Sequence, residues 1–182
     1  MILVVDYDPV WAQRFEALRS EYAQALSAAA VPVVGIEHVG STSVPGLAAK
    51  PVIDCDIVVE AGDVEAASAV LVSLGFAPLG ELGIPQRWAF DEPERLAGTN
   101  TYVVVAGSLS LRNHLAVRGV LRADPGLRDA YGEVKKRVGA QAADIYEYGA
   151  GKTAMVQRIL EAAGLGEGDR ASIGANQVPI RR

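Results

Sequence analysis

The stretch His38–Val59, HVGSTSVPGLAAKPVIDCDIVV, constrains this chain most: two apolar, β-branched runs flank a turn rich in glycine and serine. Val33–Val39 and Val52–Val59 read as strands, because β-branched residues bounded by proline and glycine favour a pleated backbone. Asp54 and Asp56 stand two residues apart in the second run, so a strand projects both carboxylates from one face and Cys55 from the other. Side-by-side carboxylates repel each other and resist burial unless a cation neutralises them. Such pairs commonly hold magnesium, or manganese, beside phosphates. Gly40 and Ser41 end the first strand, where a glycine lets the backbone approach a ligand and exposed N–H groups can cradle phosphate. A solvated turn with both aspartates at a strand end accounts for the spacing equally well, since the DxD pattern alone is weak.

Asp8 and Pro9 offer an N-cap and a first-turn proline, and Trp11, Phe15, Leu18, Tyr22 and Leu26 recur at helical spacing to about Ala30. Beyond the aspartates, Asp63–Leu74 predicts a second helix. Phe76–Leu79, Arg87–Phe90 and Thr101–Ala106 predict further strands, joined by the loops GELGIPQ and DEPERLAGTN. From Ser110 the period turns helical over Leu111–Arg122, Gly126–Val138 and roughly Ala143–Ala163. The expected class is α+β: a mixed β-sheet flanked by helices, with a C-terminal helical segment. Residues 1–163 read as a single domain, and 164–182, rich in glycine and polar residues, as a flexible or partner-bound tail.

Half of the 182 residues are hydrophobic and 21% are charged, which rules out global disorder. A net charge of −5 gives no general attraction to nucleic acid. The lone Cys55 excludes an internal disulfide, and no apolar run approaches the roughly 20 residues that span a bilayer. The expectation is a cytoplasmic protein with neither membrane nor nucleic-acid partner; monomer and homodimer both stay open.

The segment IEHVGSTSVPGLAAKPVIDCDIVV closely resembles the signature of the GrpB family, small UPF0157-like proteins of the nucleotidyltransferase fold. DYDPVWAQRFEAL is similar to the family's opening helix, ELGIPQR to its central loop, and LRNHLAVRGVLR and YEYGAGK to its C-terminal helices. The resemblance runs from Tyr7 to Ala163 and implies a nucleotidyltransferase-like sheet. It implies that Gly40, Ser41, Asp54 and Asp56 hold nucleotide and metal. Two positions depart from the pattern: Tyr102 stands where the family has histidine, and Gly119 where it has aspartate.

Many nucleotidyltransferases use a third carboxylate, for which Glu81 in the central loop is preferred to Asp91. Arg87 offers a forked donor pair to a triphosphate or a substrate carboxylate. His114, Arg118 and Arg122 recur every four residues on a face that also carries Leu111 and Leu115. Cations on an apolar face need an anion, so Arg118 and Arg122 are phosphate candidates, while His114 reads as a hydrogen-bonded structural histidine. Thr42, Ser43, Lys50 and Lys152 complete the candidate phosphate set. GAGKT around Lys152 mimics a Walker A ending, but its first glycine would fall at Tyr146 and no strand precedes it. These residues describe a magnesium-dependent enzyme that uses ATP or another nucleoside triphosphate to transfer a nucleotidyl group to, or activate, a small-molecule acceptor. An ATP-dependent ligase joining a carboxylate to an amine fits the same residues. A catalytically inactive nucleotide- or ligand-binding regulatory domain is the competing class, favoured by Tyr102 and Gly119.

Overall fold

The carboxylate of Asp8 accepts the Val10 N–H at 2.9 Å and starts helix α1, Val10–Ala28. In the computed structural model, which describes residues 1–175, this helix presents Trp11, Phe15, Leu18, Tyr22 and Leu26 to the interior. Burying each of these side chains contributes about 1.5–3 kcal/mol relative to exposure. Strand β1 (Gly35–Val39), a single 3-10 turn (Ser41–Ser43) and strand β2 (Ile53–Val59) follow. Helix α2 (Val64–Ser73) leads to β3 (Ala77–Gly80), β4 (Arg87–Asp91) and β5 (Thr99–Val105).

The five strands form one sheet in the order β1-β2-β5-β4-β3. The central pair, β2 and β5, is parallel and every other pair antiparallel, so the sheet is mixed as expected. Alternation along β2 divides its side chains. Ile53, Cys55, Ile57 and Val59 enter the core under α1 and α2, whereas Val58 joins Ala89, Tyr102, Val104 and Leu111 on the opposite face. Asp54 and Asp56 share that second face by the period of two, and Cys55 is a buried core thiol.

Three further helices lie C-terminal to the sheet: α3 (Leu109–Ala123), α4 (Pro125–Gln141) and α5 (Ile145–Ala162). Their starts follow from capping chemistry. Ser108 accepts from Leu111 N, Asp124 from Leu127 N, and Asp144 from the N–H groups of Tyr146 and Glu147. Pro125 occupies the first turn of α4, where its missing N–H has no consequence. Helices α4 and α5 approach closely at Gly151, where a Cβ would stand 2.5 Å from Val138 Cγ1. The buried Lys135 ammonium donates to Ala48 O at 2.7 Å and lies 4.4 Å from the Tyr131 ring centre, tying α4 to the segment between β1 and β2.

The segment read as a flexible or partner-bound tail contains a sixth helix, α6, over Glu167–Ala175. It docks through an Arg112–Asp169 ion pair at 3.1 Å, a bond from Gln157 to Arg170 O, and the buried side chain of Ile173. A single buried isoleucine and partners distant in sequence hold it, so no helical period announces it. The rest of the segment, 176–182, lies outside the described residues. No helix among the described residues is long and apolar enough to cross a membrane.

Candidate functional site

The parallel register of β2 and β5 sets Asn100 beside Asp54 and Tyr102 beside Asp56. Asn100 Nδ2 donates to Asp54 Oδ1 at 2.7 Å. His114 Nδ1, from α3, lies 2.6 Å from Asp56 Oδ2. Asp56 has no exposed surface, and its second oxygen, Oδ1, is buried without a hydrogen-bond partner among the described residues. The Asp54 Oδ2 atom closes against Gly40, where any Cβ would overlap the carboxylate. Gly40 adopts φ 68° and ψ −171°, a conformation essentially confined to glycine. Carboxylate and turn therefore fit only because residue 40 lacks a side chain.

Burial pushes the Asp54 carboxyl pKa up, against the Asn100 hydrogen bond and the His114 charge, and the neighbouring Asp56 charge pushes it further. Burial acts to lower the His114 pKa. The charge and hydrogen bond of Asp56 outweigh it, so the imidazole is raised above its ordinary value and favours the cation. One of the paired carboxylates thus has an internal counter-ion, whereas the other is stabilised by a neutral amide.

Two adjoining cavities open on this face. The smaller, about 170 Å³, is bordered by Ser41, Lys50, Asp54, Asn100, Tyr148 and Lys152. The larger, about 680 Å³, shares Tyr148 and Lys152 with it and extends past Arg87, Tyr102 and His114 between walls of apolar side chains. Lys152 Nζ lies 4.0 Å from the Tyr148 ring centre, and burial together with the Lys50 charge lowers its pKa to about 8 against the pull of Asp54. The GAGKT segment is the middle of α5 and forms no phosphate loop.

The structure brings Gly40, Ser41, Lys50, Asp54 and Lys152 together and places Arg87 on the larger cavity. Thr42 and Ser43 are buried and engaged elsewhere, Thr42 Oγ1 donating to Val52 O at 3.0 Å and Ser43 Oγ to Gly40 O at 2.6 Å. Arg118 donates to Glu37 Oε2 and to His38 O, each at 2.8 Å, and Arg122 reaches Ser43 O through Nε and Nη2. Both arginines border neither cavity; the anion expected for Arg118 is Glu37 of β1. Glu81 sits in the loop before β4, where it accepts the Gln86 N–H at 2.6 Å, and borders neither cavity. Among the described residues, no group of three or more His, Cys, Asp or Glu side chains is arranged to hold a metal ion. The residue that sequence reasoning set aside is His114. Its position one turn before Arg118 on the face that meets β1 and β2 was the available signal.

Beneath the turn, the His38 ring stacks on Phe15 at 4.5 Å and its Nε2 lies 3.1 Å from Thr42 Oγ1. Burial, with the Arg122 and Arg118 charges, lowers its pKa from 6.5 to about 4. Unfolding below pH 6.5 therefore takes up a proton, and stability is lost as pH falls from there to about 4. The expected loss reaches ~1.4 kcal/mol per pH unit, and His38→Gln should flatten that part of a denaturant-unfolding series across pH.

A family model described as GrpB protein matches residues 1–162. The chain belongs to the GrpB family. A UPF0157 protein of Deinococcus radiodurans is 36% identical over 153 residues, covering 84% of this chain and 77% of that one. UPF0157 protein YqkA of Bacillus subtilis is 32% identical over 165 residues, 88% of this chain, and this chain spans 46% of that relative's length. GrpB from Enterococcus faecalis, known from a crystal structure, superposes with a TM-score of 0.77 at 30% identity, covering 89% of this chain and 98% of that one. More distant matches carry the fold beyond the GrpB family. Cid1 in complex with its short product ApU has a TM-score of 0.54 at 15% identity, over 82% of this chain and 49% of Cid1. A chain of the GLD-2/RNP-8 complex has a TM-score of 0.54 at 17% identity, over 86% of this chain and 61% of that one. This GrpB-family chain has a nucleotidyltransferase-like α+β fold.

Proposed function

We propose that this GrpB-family protein binds a magnesium–nucleoside triphosphate, ATP or another, and transfers its nucleotidyl group to, or uses it to activate, a small-molecule acceptor. The observation that carries the reading is the contact of Asp54 with the Gly40–Ser41 turn at the edge of a cavity that also gathers Lys50 and Lys152. A carboxylate, a glycine turn and two ammonium groups make a site for a cation and phosphates together. Asp56 borders neither cavity but adds, on the same face, a buried oxygen without a hydrogen-bond partner among the described residues, and Asp54 and Asp56 would hold the metal. Two protein carboxylates suffice where substrate phosphates and water complete the shell, as is usual for magnesium. When held by Asp54 and Asp56, the metal would supply positive charge that offsets the charge developing on the departing pyrophosphate.

Ser41, Lys50 and Lys152 line the phosphate cavity, and Lys152, at the junction with the larger cavity, steadies the reacting phosphoryl group. With a pKa near 8 it remains largely protonated at neutral pH, as a phosphate partner requires. The acceptor's nucleophile attacks the α-phosphorus and pyrophosphate leaves. Replacing Lys152 by Gln is expected to weaken triphosphate binding roughly tenfold, the value of one charge-assisted contact. Calorimetric titration of ATP, GTP and CTP, with and without magnesium, tests the reading. Magnesium-dependent binding supports it, and equal or absent binding in both conditions contradicts it.

A second reading, a binding domain without chemistry, is favoured by one observation. Strand β5 sets Asn100 and Tyr102, rather than an acid, beside the two aspartates. Nucleotide binding without release of pyrophosphate, AMP or ADP across a broad panel of acceptors would favour it.

A further inference from the structure

The larger cavity bears on the acceptor, and the inference rests on the nucleotide reading of the smaller one. Its volume of about 680 Å³ suits a small organic ligand. Its described lining includes Arg87, His114 and Lys152 and no aspartate or glutamate. His114 is satisfied by Asp56, and Lys152 is shared with the phosphate cavity. Arg87 is the cation left over. It forms no ion pair among the described residues, and its Nε is buried without a hydrogen-bond partner. Its guanidinium carbon lies 4.5 Å from the centre of the Tyr102 ring, and a guanidinium stacked on an aromatic face keeps in-plane N–H groups with which to receive a forked acceptor. The surrounding wall is mostly apolar, with Ile84, Pro85, Leu109, Val117 and Ile173 among its members, and its other polar side chains, such as Gln86, Ser110 and Asn113, are uncharged. A charged group in such surroundings is costly without a partner, and a carboxylate matches the guanidinium edge through two parallel bonds.

We infer that the larger cavity seats an acceptor that is a small organic carboxylate with an apolar body, its carboxylate received by Arg87. Tyr102 is the platform on which this arginine rests.

The test titrates hexanoate and 4-phenylbutyrate, and the corresponding uncharged amides, into the full chain with magnesium and a non-hydrolysable ATP analogue, read by ligand-observed NMR. The acids are expected to bind at least about tenfold more tightly than their amides, the worth of one charge-assisted pair. Arg87→Gln should abolish that preference, and Arg87→Lys, which keeps the charge and loses the fork, should retain part of it. A thermal melt confirms that each variant is folded. Equal binding of acid and amide, no binding of either, or displacement of the acids by the nucleotide analogue would overturn the inference. Nucleotide binding without acid preference sinks the carboxylate site alone; acid preference without nucleotide binding sinks the nucleotide reading alone.

Discussion

Asp54→Asn is expected to abolish magnesium-dependent nucleotide binding while leaving the fold intact or slightly more stable. Asparagine preserves the shape of the side chain and an oxygen to accept from Asn100 Nδ2. It removes a charge that burial disfavours and that the neighbouring Asp56 repels. The apo protein therefore loses an unfavourable term, and its melting temperature should stay level or rise. Replacing a group that merely orients a metal ligand costs about 10–100-fold in affinity, and replacing the ligand itself should cost more than about 100-fold. Calorimetry with magnesium and ATP, paired with a thermal melt, measures both effects. Loss of binding together with loss of fold would assign Asp54 a structural role instead. Gain of stability with loss of binding is the pattern expected where a site is built at the expense of the scaffold.

Gly40→Ala should damage the site from the opposite side. A non-glycine residue at φ 68° and ψ −171° stores on the order of 1–3 kcal/mol of strain, before any contact is counted. The added methyl group also overlaps the Asp54 carboxylate, so the turn, the aspartate or both must move. The expected result is lower stability and loss of nucleotide binding. The two costs separate in a double-mutant cycle, because overlap requires both side chains and strain does not. Gly40→Ala combined with Asp54→Ala should be less destabilised than the sum of the single variants. Additive losses would show that the close approach of turn and carboxylate is not a constraint.

The sheet and its helices were legible because the signals are local. Alternation in β2, the stripe from Trp11 to Leu26 in α1, and the start of that helix at Asp8 and Pro9 each act within a few residues. The pairing of Asp54 with Asp56 was legible for the same reason, since a period of two requires nothing from the rest of the chain. What escaped was set by residues far apart in sequence. Arg118 and Arg122 carry charge that suits phosphate, yet Glu37, His38 O and Ser43 O, about eighty positions earlier, already accept their N–H groups. These bonds fasten α3 to β1 and the turn, and so hold Gly40 against Asp54. His114, on the same face, reads as a hydrogen-bonded structural histidine; what the sequence does not show is its partner, Asp56, 58 positions away. Glu81 resembled a third carboxylate in a family-like loop, but it closes its own loop on Gln86. Helix α6 had no period to reveal it and depends on its ion pair with Arg112 and on Ile173.

The central claim is that Asp54 and Asp56 jointly hold a divalent cation beside nucleotide phosphates. Anomalous diffraction from crystals grown with manganese and a non-hydrolysable ATP analogue tests it most directly. The account expects one anomalous peak between an Asp54 carboxylate oxygen and Asp56 Oδ1, with phosphate density against Ser41, Lys50 and Lys152. Nucleotide bound elsewhere, or bound in this cavity with no metal at the two aspartates, would contradict it.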